Sequence, residues 1–208
     1  MTQKKKAIAA GAAAVMLAGA AGIVAAYFSA ADDEPNLATV GEDTISIVES
    51  FDPPEQTHDP FRYRKLVKIK NTGSVPCYIR ARLEFSDSDI QSYASFSADE
   101  SDPPAEGSFY SADKSKENPY IEHLPNGWVY INERGDGDPT EGYYYYTSPV
   151  QPEKATDALI SWVKMSYPEG AEIQAHDLYV YSESVQTIDP ATGAAYDGWK
   201  AAWNSFAG

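Results

Sequence analysis

The stretch FRYRKLVKIKNTGSVPCYIRARLEF, residues 61–85, decides the fold of this chain. On both sides of the turn at residues 71–74, side chains alternate between two faces with a period of two. One face of the first strand carries Tyr63, Lys65, Val67 and Ile69, and the apolar face of the second carries Cys77, Ile79, Ala81, Leu83 and Phe85. Such alternation around a glycine-containing turn predicts an antiparallel hairpin with one buried face. We therefore expect Cys77 to be a small core residue without a reactive role.

Several further segments have the composition and the alternation of strands. They lie at residues 44–48, 128–131, 143–146, 158–167 and 173–186. Clusters of Pro, Gly, Asn and Asp separate them, and the sequence between them has no helical periodicity. This organisation predicts an all-β fold, an antiparallel β-sandwich, in a domain that spans residues 41–208.

Two segments depart from the strand pattern. Residues 86–122 are rich in Ser, Asp, Glu and Pro, so we predict a polar insertion on the surface, partly without fixed structure. The tail AYDGWKAAWNSFAG, residues 195–208, places Trp199, Trp203 and Phe206 at positions i, i+4 and i+7. This spacing predicts a short C-terminal helix that packs its aromatic stripe on the sandwich.

The N-terminal segment has the layout of a secretory signal. Three lysines at residues 4–6 precede a long apolar run that is built mostly of Ala and Gly. A run so poor in large apolar side chains is a weak permanent anchor, so we predict a signal helix that meets the membrane only transiently. The signal peptide is placed at residues 1–26, with cleavage between Ala26 and Tyr27, and residues 29–31 offer a second cleavage site.

The charge of the chain excludes several classes of partner. It has 16 basic and 31 acidic side chains, a net charge of −15, and loss of the three signal lysines makes the charge −18. Nucleic acids and anionic membrane surfaces both require a basic footprint. The classes of partner that remain are divalent cations and cationic wall polymers. Alternatively, the charge serves only as colloidal repulsion that keeps the protein in solution. The single cysteine forms no internal disulfide, which fits a Gram-positive-type exterior.

Catalytic patterns are absent from the sequence. The histidines His58, His123 and His176 lie far apart, and none belongs to an HExxH pattern. Serines are abundant, but no GxSxG motif is present. His176 falls within a predicted strand, so we expect it to be solvated or hydrogen-bonded instead of ligating a metal. We interpret the chain as a protein that is not an enzyme.

Acidic loops are the best candidates for a metal site. The segment NERGDGDPTEG brings Asp136, Asp138 and Glu141 into one glycine-rich turn, and SDSD supplies Asp87 and Asp89. Oxygen ligands at such spacing can hold calcium, but the EF-hand pattern is incomplete. We therefore interpret both segments as solvated loops and assign no metal or other cofactor.

Two short motifs allow a functional and an ordinary interpretation. Residues 134–136 spell RGD, which integrin ligands present on loops, but a given tripeptide also arises by chance. The four tyrosines at residues 143–146 could stack on sugar rings, yet alternating tyrosines are also common strand formers. We prefer the ordinary interpretation of both.

Several segments together resemble a known family of exported proteins. They are AAYFSA at the end of the signal, VGEDTISIVES, KIKNTGSVPCYIRARLE, YYYYTSPVQPEKATDAL, and SESVQ followed by the tryptophan-containing tail. In this combination the chain resembles the TasA/camelysin family of Gram-positive bacteria, which SipW-type signal peptidases process. The resemblance spans most of the chain outside residues 86–122. The family's Pro-Gly-Glu turn is altered here, because residues 152–156 read PEKAT without the glycine.

This resemblance implies a fold, a function and partners. It implies a jelly-roll-like β-sandwich that is secreted and is a structural subunit of extracellular matrix or biofilm fibres. Residues 27–40 would be a donor strand that pairs with a neighbouring copy or a related fibre subunit once the signal peptidase has freed them. The apolar residues of this segment are Tyr27, Phe28, Leu37 and Val40. An open sheet edge offers backbone groups that such an extended peptide can pair with.

Two alternatives belong to other functional classes. A monomeric cell-surface or carbohydrate-binding β-sandwich module would use the aromatic strands and the acidic loop. A camelysin-like metallopeptidase is the third alternative, and the sequence shows no zinc-ligand pattern that supports it. We prefer the fibre subunit.

Overall fold

Two β-sheets form the structure, a computed structural model that describes residues 30–31, 44–52, 60–113, 124–131, 141–171, 173 and 176–207. Within these residues each sheet has five strands. The first sheet has the order β1-β10-β4-β8-β7, with β1 at Ala30–Ala31, β4 at Cys77–Phe85, β7 at Trp128–Ile131, β8 at Tyr143–Tyr146 and β10 at Leu178–Gln186. The second has the order β2-β3-β9-β5-β6, with β2 at Ile45–Asp52, β3 at Phe61–Asn71, β5 at Ala94–Ser97, β6 at Tyr110–Ser111 and β9 at Ile160–Met165. The predicted all-β sandwich is confirmed.

The chain passes back and forth between the two sheets, as it does in a jelly roll. From β3 in the second sheet it enters β4 in the first, and then β5 and β6 in the second. It returns to the first sheet for β7 and β8, to the second for β9, and to the first for β10. The pairs within each sheet are antiparallel except β1 with β10, which is parallel.

The prediction that residues 61–85 form a hairpin is wrong, because the two strands lie in different sheets. The turn between them connects one sheet to the other. β3 pairs with β2 and β9, whereas β4 pairs with β10 and β8. The two strands contribute to the core from opposite sheets, and Val67, Ile69, Cys77 and Ile79 are fully buried there. Alternation identifies the buried face of a strand, but it does not distinguish partners in one sheet from strands in facing sheets. The expected core position of Cys77 is confirmed.

A buried asparagine builds this connection. The Nδ2 group of Asn71 donates to the carbonyl oxygens of Val75, at 2.8 Å, and Val150, at 2.9 Å. Its Oδ1 accepts the backbone N–H of Gly73 at 2.8 Å. These three bonds satisfy the buried amide and hold the chain as it crosses from one sheet to the other.

The structure also corrects the prediction that residues 86–122 are a surface insertion. A helix, α1 at Ser88–Tyr93, leads into β5, and β5 pairs with β9 inside the second sheet. Ile90, Phe96 and Tyr110 are buried members of the core. The few inward apolar side chains are outnumbered by polar ones on the outer face and in the turns, which hides these elements in the composition. Residues 114–123 lie outside the described residues.

The C-terminal helix is confirmed as α2, at Gly198–Ala207, with Trp203 only 1% exposed. The strands predicted at residues 128–131 and 143–146 have the predicted bounds. The predicted signal helix and its cleavage site lie outside the described residues. In the part of the chain that the structure describes, no helix is both long and apolar enough to cross a bilayer.

Candidate functional site

The edge of the first sheet beside β10 is the candidate functional site. There β1 runs parallel to β10, with Ala30 opposite Val180 and Ala31 opposite Tyr181. Both alanines belong to the predicted donor segment, residues 27–40. Its apolar residues Tyr27, Phe28, Leu37 and Val40 lie outside the described residues, as does Ala26.

The backbone of β10 is oriented to accept a strand at this edge. Ser86 N–H donates to the carbonyl of Asp177, at 2.9 Å, and Thr187 N–H donates to the carbonyl of Pro76, at 3.2 Å. Odd-numbered residues at both ends therefore bond toward β4, and the antiparallel ladder between them keeps that alternation. The backbone groups of Val180 and Ser182 consequently point away from β4, toward β1. Because β10 has nine residues and β1 has two, the edge has the length for a longer strand.

The inner face of the sandwich becomes less buried and more polar along this edge. Leu178 and Val180 are fully buried, but Ser182, further along the same face, is half-buried and lies opposite Ala81. On the facing sheet the edge strand β2 approaches β10. Ile45 and Ile47 of β2 pack against the core and are only half-buried. A strand that placed apolar side chains between these two edges would bury this surface.

A buried lysine lies on the inner face of β3, beside the edge strand β2. The side chain of Lys65 is fully buried, and its Nζ is 2.7 Å from the Oε2 of Glu49 on β2. The pairing of β3 with β9 shifts between Arg64 and Val67, so the ladder with β9 is irregular in the part of β3 that contains Lys65. Burial lowers the pKa of Lys65 from 10.5 to about 8, although the hydrogen bond and the charge of Glu49 oppose this change.

The lowered pKa predicts that Lys65 makes stability rise with pH in the alkaline range. Between about pH 8 and pH 10.5 folded Lys65 has released its proton while the unfolded chain retains it, so the unfolded state binds more protons. The free energy of unfolding should rise by up to roughly 3 kcal/mol across this window. Lys65→Met should lack this rise, which urea unfolding at about pH 7.5 and about pH 10 would measure.

The matched control for this measurement is Lys154→Met, which removes an exposed lysine. It should leave the Lys65-dependent rise intact, because Lys65 and Glu49 are unchanged. Equal pH dependence of the native chain and of Lys65→Met would contradict the prediction.

The one described histidine is a structural residue. His176 is buried just before β10, not within a strand as predicted, and its Nε2 is 3.1 Å from the hydroxyl oxygen of Tyr63. It also packs against the ring of Phe85, with 5.6 Å between centroids. Of the two outcomes expected for His176, hydrogen bonding is the observed one. His58 and His123 lie outside the described residues.

The acidic candidates have separate positions. The carboxylate of Asp87 accepts the backbone N–H of Asp89, at 2.8 Å, and caps α1. Glu141 is buried at the turn before β8, and Asp136 and Asp138 lie outside the described residues, as do residues 134–136 of the RGD motif. Among the described residues, no three His, Cys, Asp or Glu side chains are grouped as metal ligands would be.

A buried arginine, Arg80, lies beneath α2, and sequence reasoning did not identify it. Arg80 of β4 is buried, forms an ion pair with Glu183 and lies 3.3 Å from the hydroxyl of Tyr145. Its guanidinium lies over the rings of Tyr143, at 4.0 Å, and Trp203, at 4.4 Å. The alternation placed Arg80 on the outer face, but its burial depends on α2, which covers that face.

The fold and the edge define an all-β sandwich that has a strand of its own N-terminal segment docked at one sheet edge. Comparisons with protein-family models, with curated proteins and with solved structures find no match for the chain.

Proposed function

We propose that this chain is a secreted structural subunit of extracellular matrix fibres, assembled by strand addition. In this proposal, signal cleavage frees residues 27–40, which pair with β10 of a neighbouring copy. The observation that carries the proposal is the docking of Ala30–Ala31 along β10. The same segment can make the same pairing with another copy, since strand exchange reproduces contacts that already exist within one chain.

Two features of the edge support exchange between copies. The backbone of Val180 and Ser182 faces the docked strand, so a longer donor strand could continue the ladder along β10. The inner-facing isoleucines Ile45 and Ile47 are half-buried, and an incoming strand would remove part of their exposed surface from water. Both contributions favour a longer donor strand than two residues.

The negative charge of the chain implies that association between copies requires specific contacts. At −15 for the whole chain, copies repel one another at long range. Non-specific association is thereby suppressed, and an ordered contact such as a paired strand must supply the attraction. We propose accordingly that the chain is exported, then processed by a SipW-type signal peptidase, and that it assembles outside the cell.

The experiment that tests this function compares two chain lengths by negative-stain electron microscopy. One protein begins at Tyr27, and the other begins at Asn36 and so lacks β1. Filaments are expected from the longer protein only, because the shorter one retains the β10 edge but has lost the strand that docks there. Circular dichroism of both proteins controls for the fold.

Two results would contradict the proposal. Uniform single particles from both proteins would remove self-assembly as the function and favour the monomeric surface-binding module. Filaments from both would show that residues 27–35 are not the assembling strand. Mass spectrometry of the protein exported from a Gram-positive host would test the cleavage site between Ala26 and Tyr27.

A further inference from the structure

A second sheet edge, formed by β2, lies on the same side of the sandwich as β10. β2 is the terminal strand of the second sheet, and β3 is its partner in the described part of the chain. Thr72 N–H donates to the carbonyl of Thr44, at 2.8 Å, so even-numbered residues of β2 bond toward β3. The backbone groups of Ile47 and Glu49 consequently point to the outer edge. An edge with this orientation is a template for another strand.

A charged side chain occupies the inner face at the middle of this edge. Glu49 is paired with Val67, a core residue, and lies on the same face of β2 as Ile45 and Ile47. Its side chain remains 23% exposed, and its carboxylate contacts the ammonium of the fully buried Lys65 side chain. Water therefore still reaches Glu49 past the outer edge of β2, and a strand added there would remove that water.

We infer that the Glu49–Lys65 pair blocks strand addition at β2 by a second copy of the chain and so restricts assembly to the β10 edge. Dehydrating an ion pair costs more than the attraction between the charges returns unless new hydrogen bonds compensate. Inward-pointing charges are a known way in which sheet edges resist pairing, and Glu49 places one on the inner face of the edge strand β2. The corresponding inner-face positions of β10, Val180 and Ser182, are uncharged. The assignment of β10 as the permitted edge rests on the proposed function.

The test removes the pair in the protein that begins at Tyr27 and whose β10 edge is blocked by Ser182→Pro. Glu49→Val with Lys65→Met replaces the pair by apolar side chains. Proteins generally remain folded when a buried ion pair is replaced in this way. Glu100→Val with Lys68→Met is the matched control, because this exposed pair, at 2.9 Å, has the same residue types and the same net charge. Sedimentation velocity measures association, and amide hydrogen exchange follows the backbone N–H groups at positions 47 and 49.

The variant without the Glu49–Lys65 pair should associate about a hundredfold more strongly than the matched control. Its association should slow exchange at positions 47 and 49, because the backbone N–H groups there would then be paired. Equal association of the two double variants, with both folded by circular dichroism, would overturn the inference. Since the result is a difference between two variants that both lack the β10 route, it does not depend on whether the native chain forms filaments.

Discussion

Replacing Ser182 by proline is expected to abolish filament formation while the single copies remain folded. The N–H of Ser182 points to the edge of β10 where β1 docks, so its loss removes a donor from that edge alone. Proline is tolerated in a strand where the missing N–H faces away from the paired neighbour. The ladder with β4 should therefore persist, whereas an incoming strand meets the proline ring.

Ser182→Ala is the matched control for this prediction. It removes the hydroxyl but keeps the N–H, and it should form filaments as the native chain does. Electron microscopy of the processed proteins, with circular dichroism and thermal unfolding for each, gives the result. Filaments of normal length from Ser182→Pro would exclude β10 as the accepting edge, even if strand addition occurred elsewhere.

Trp203→Ala should cause the largest loss of stability among substitutions in α2. The indole is 1% exposed and lies over Arg80 and against the ring of Tyr145, with 5.9 Å between centroids. Truncation leaves a cavity beside a buried cation, and Trp→Ala at such sites costs roughly 3–5 kcal/mol. Urea unfolding monitored by circular dichroism would measure this loss.

The control for this stability prediction is Trp199→Ala, in the same helix. Trp199 also contacts Tyr145, at 5.1 Å between centroids, but it is only half-buried. Its truncation should cost clearly less, because water can occupy the space that the ring leaves. Similar losses for the two variants would contradict the prediction that the buried Trp203 contributes more stability than the half-buried Trp199.

The sequence predicted the buried faces of the strands better than their partners. Alternation gave the correct inner faces of β3 and β4, since the period of two is a property of a single strand. Their pairing is a property of the whole fold, and the same pattern fits a hairpin and a connection between sheets. The bonds of Asn71 to Val75 and Val150 stabilise the latter, and the second of these partners lies far along the chain.

The polar segment after β4 was missed for a related reason. β5 has four residues and β6 has two, so neither is long enough to show an alternating pattern. Only Phe96 and Tyr110 mark them as buried strands. The place of β5 beside β9, and of β6 beside β5, comes from tertiary pairing, which overrides the preference of Ser for turns.

The candidate site was only partly predictable. The resemblance led to residues 27–40 as the strand that docks, but the sequence contains nothing that selects β10 as the accepting edge. The pairing of Glu49 with Lys65 depends on the register of β2 against β3, which puts Glu49 beside Val67 on the face that carries Lys65. A lysine on an apolar face was visible at residue 65, and that exception to the pattern was the available signal.

The docking of β1 has a geometric consequence for a fibre. A copy that gives its N-terminal segment to one neighbour and receives a segment from another uses two different surfaces, so the contact is head-to-tail and not two-fold symmetric. Repetition of such a contact produces an open filament with direction. One terminus would present a vacant β10, and the other an undocked N-terminal arm. A protein that supplied only an arm, or only an accepting edge, would stop growth at one terminus and leave the other active.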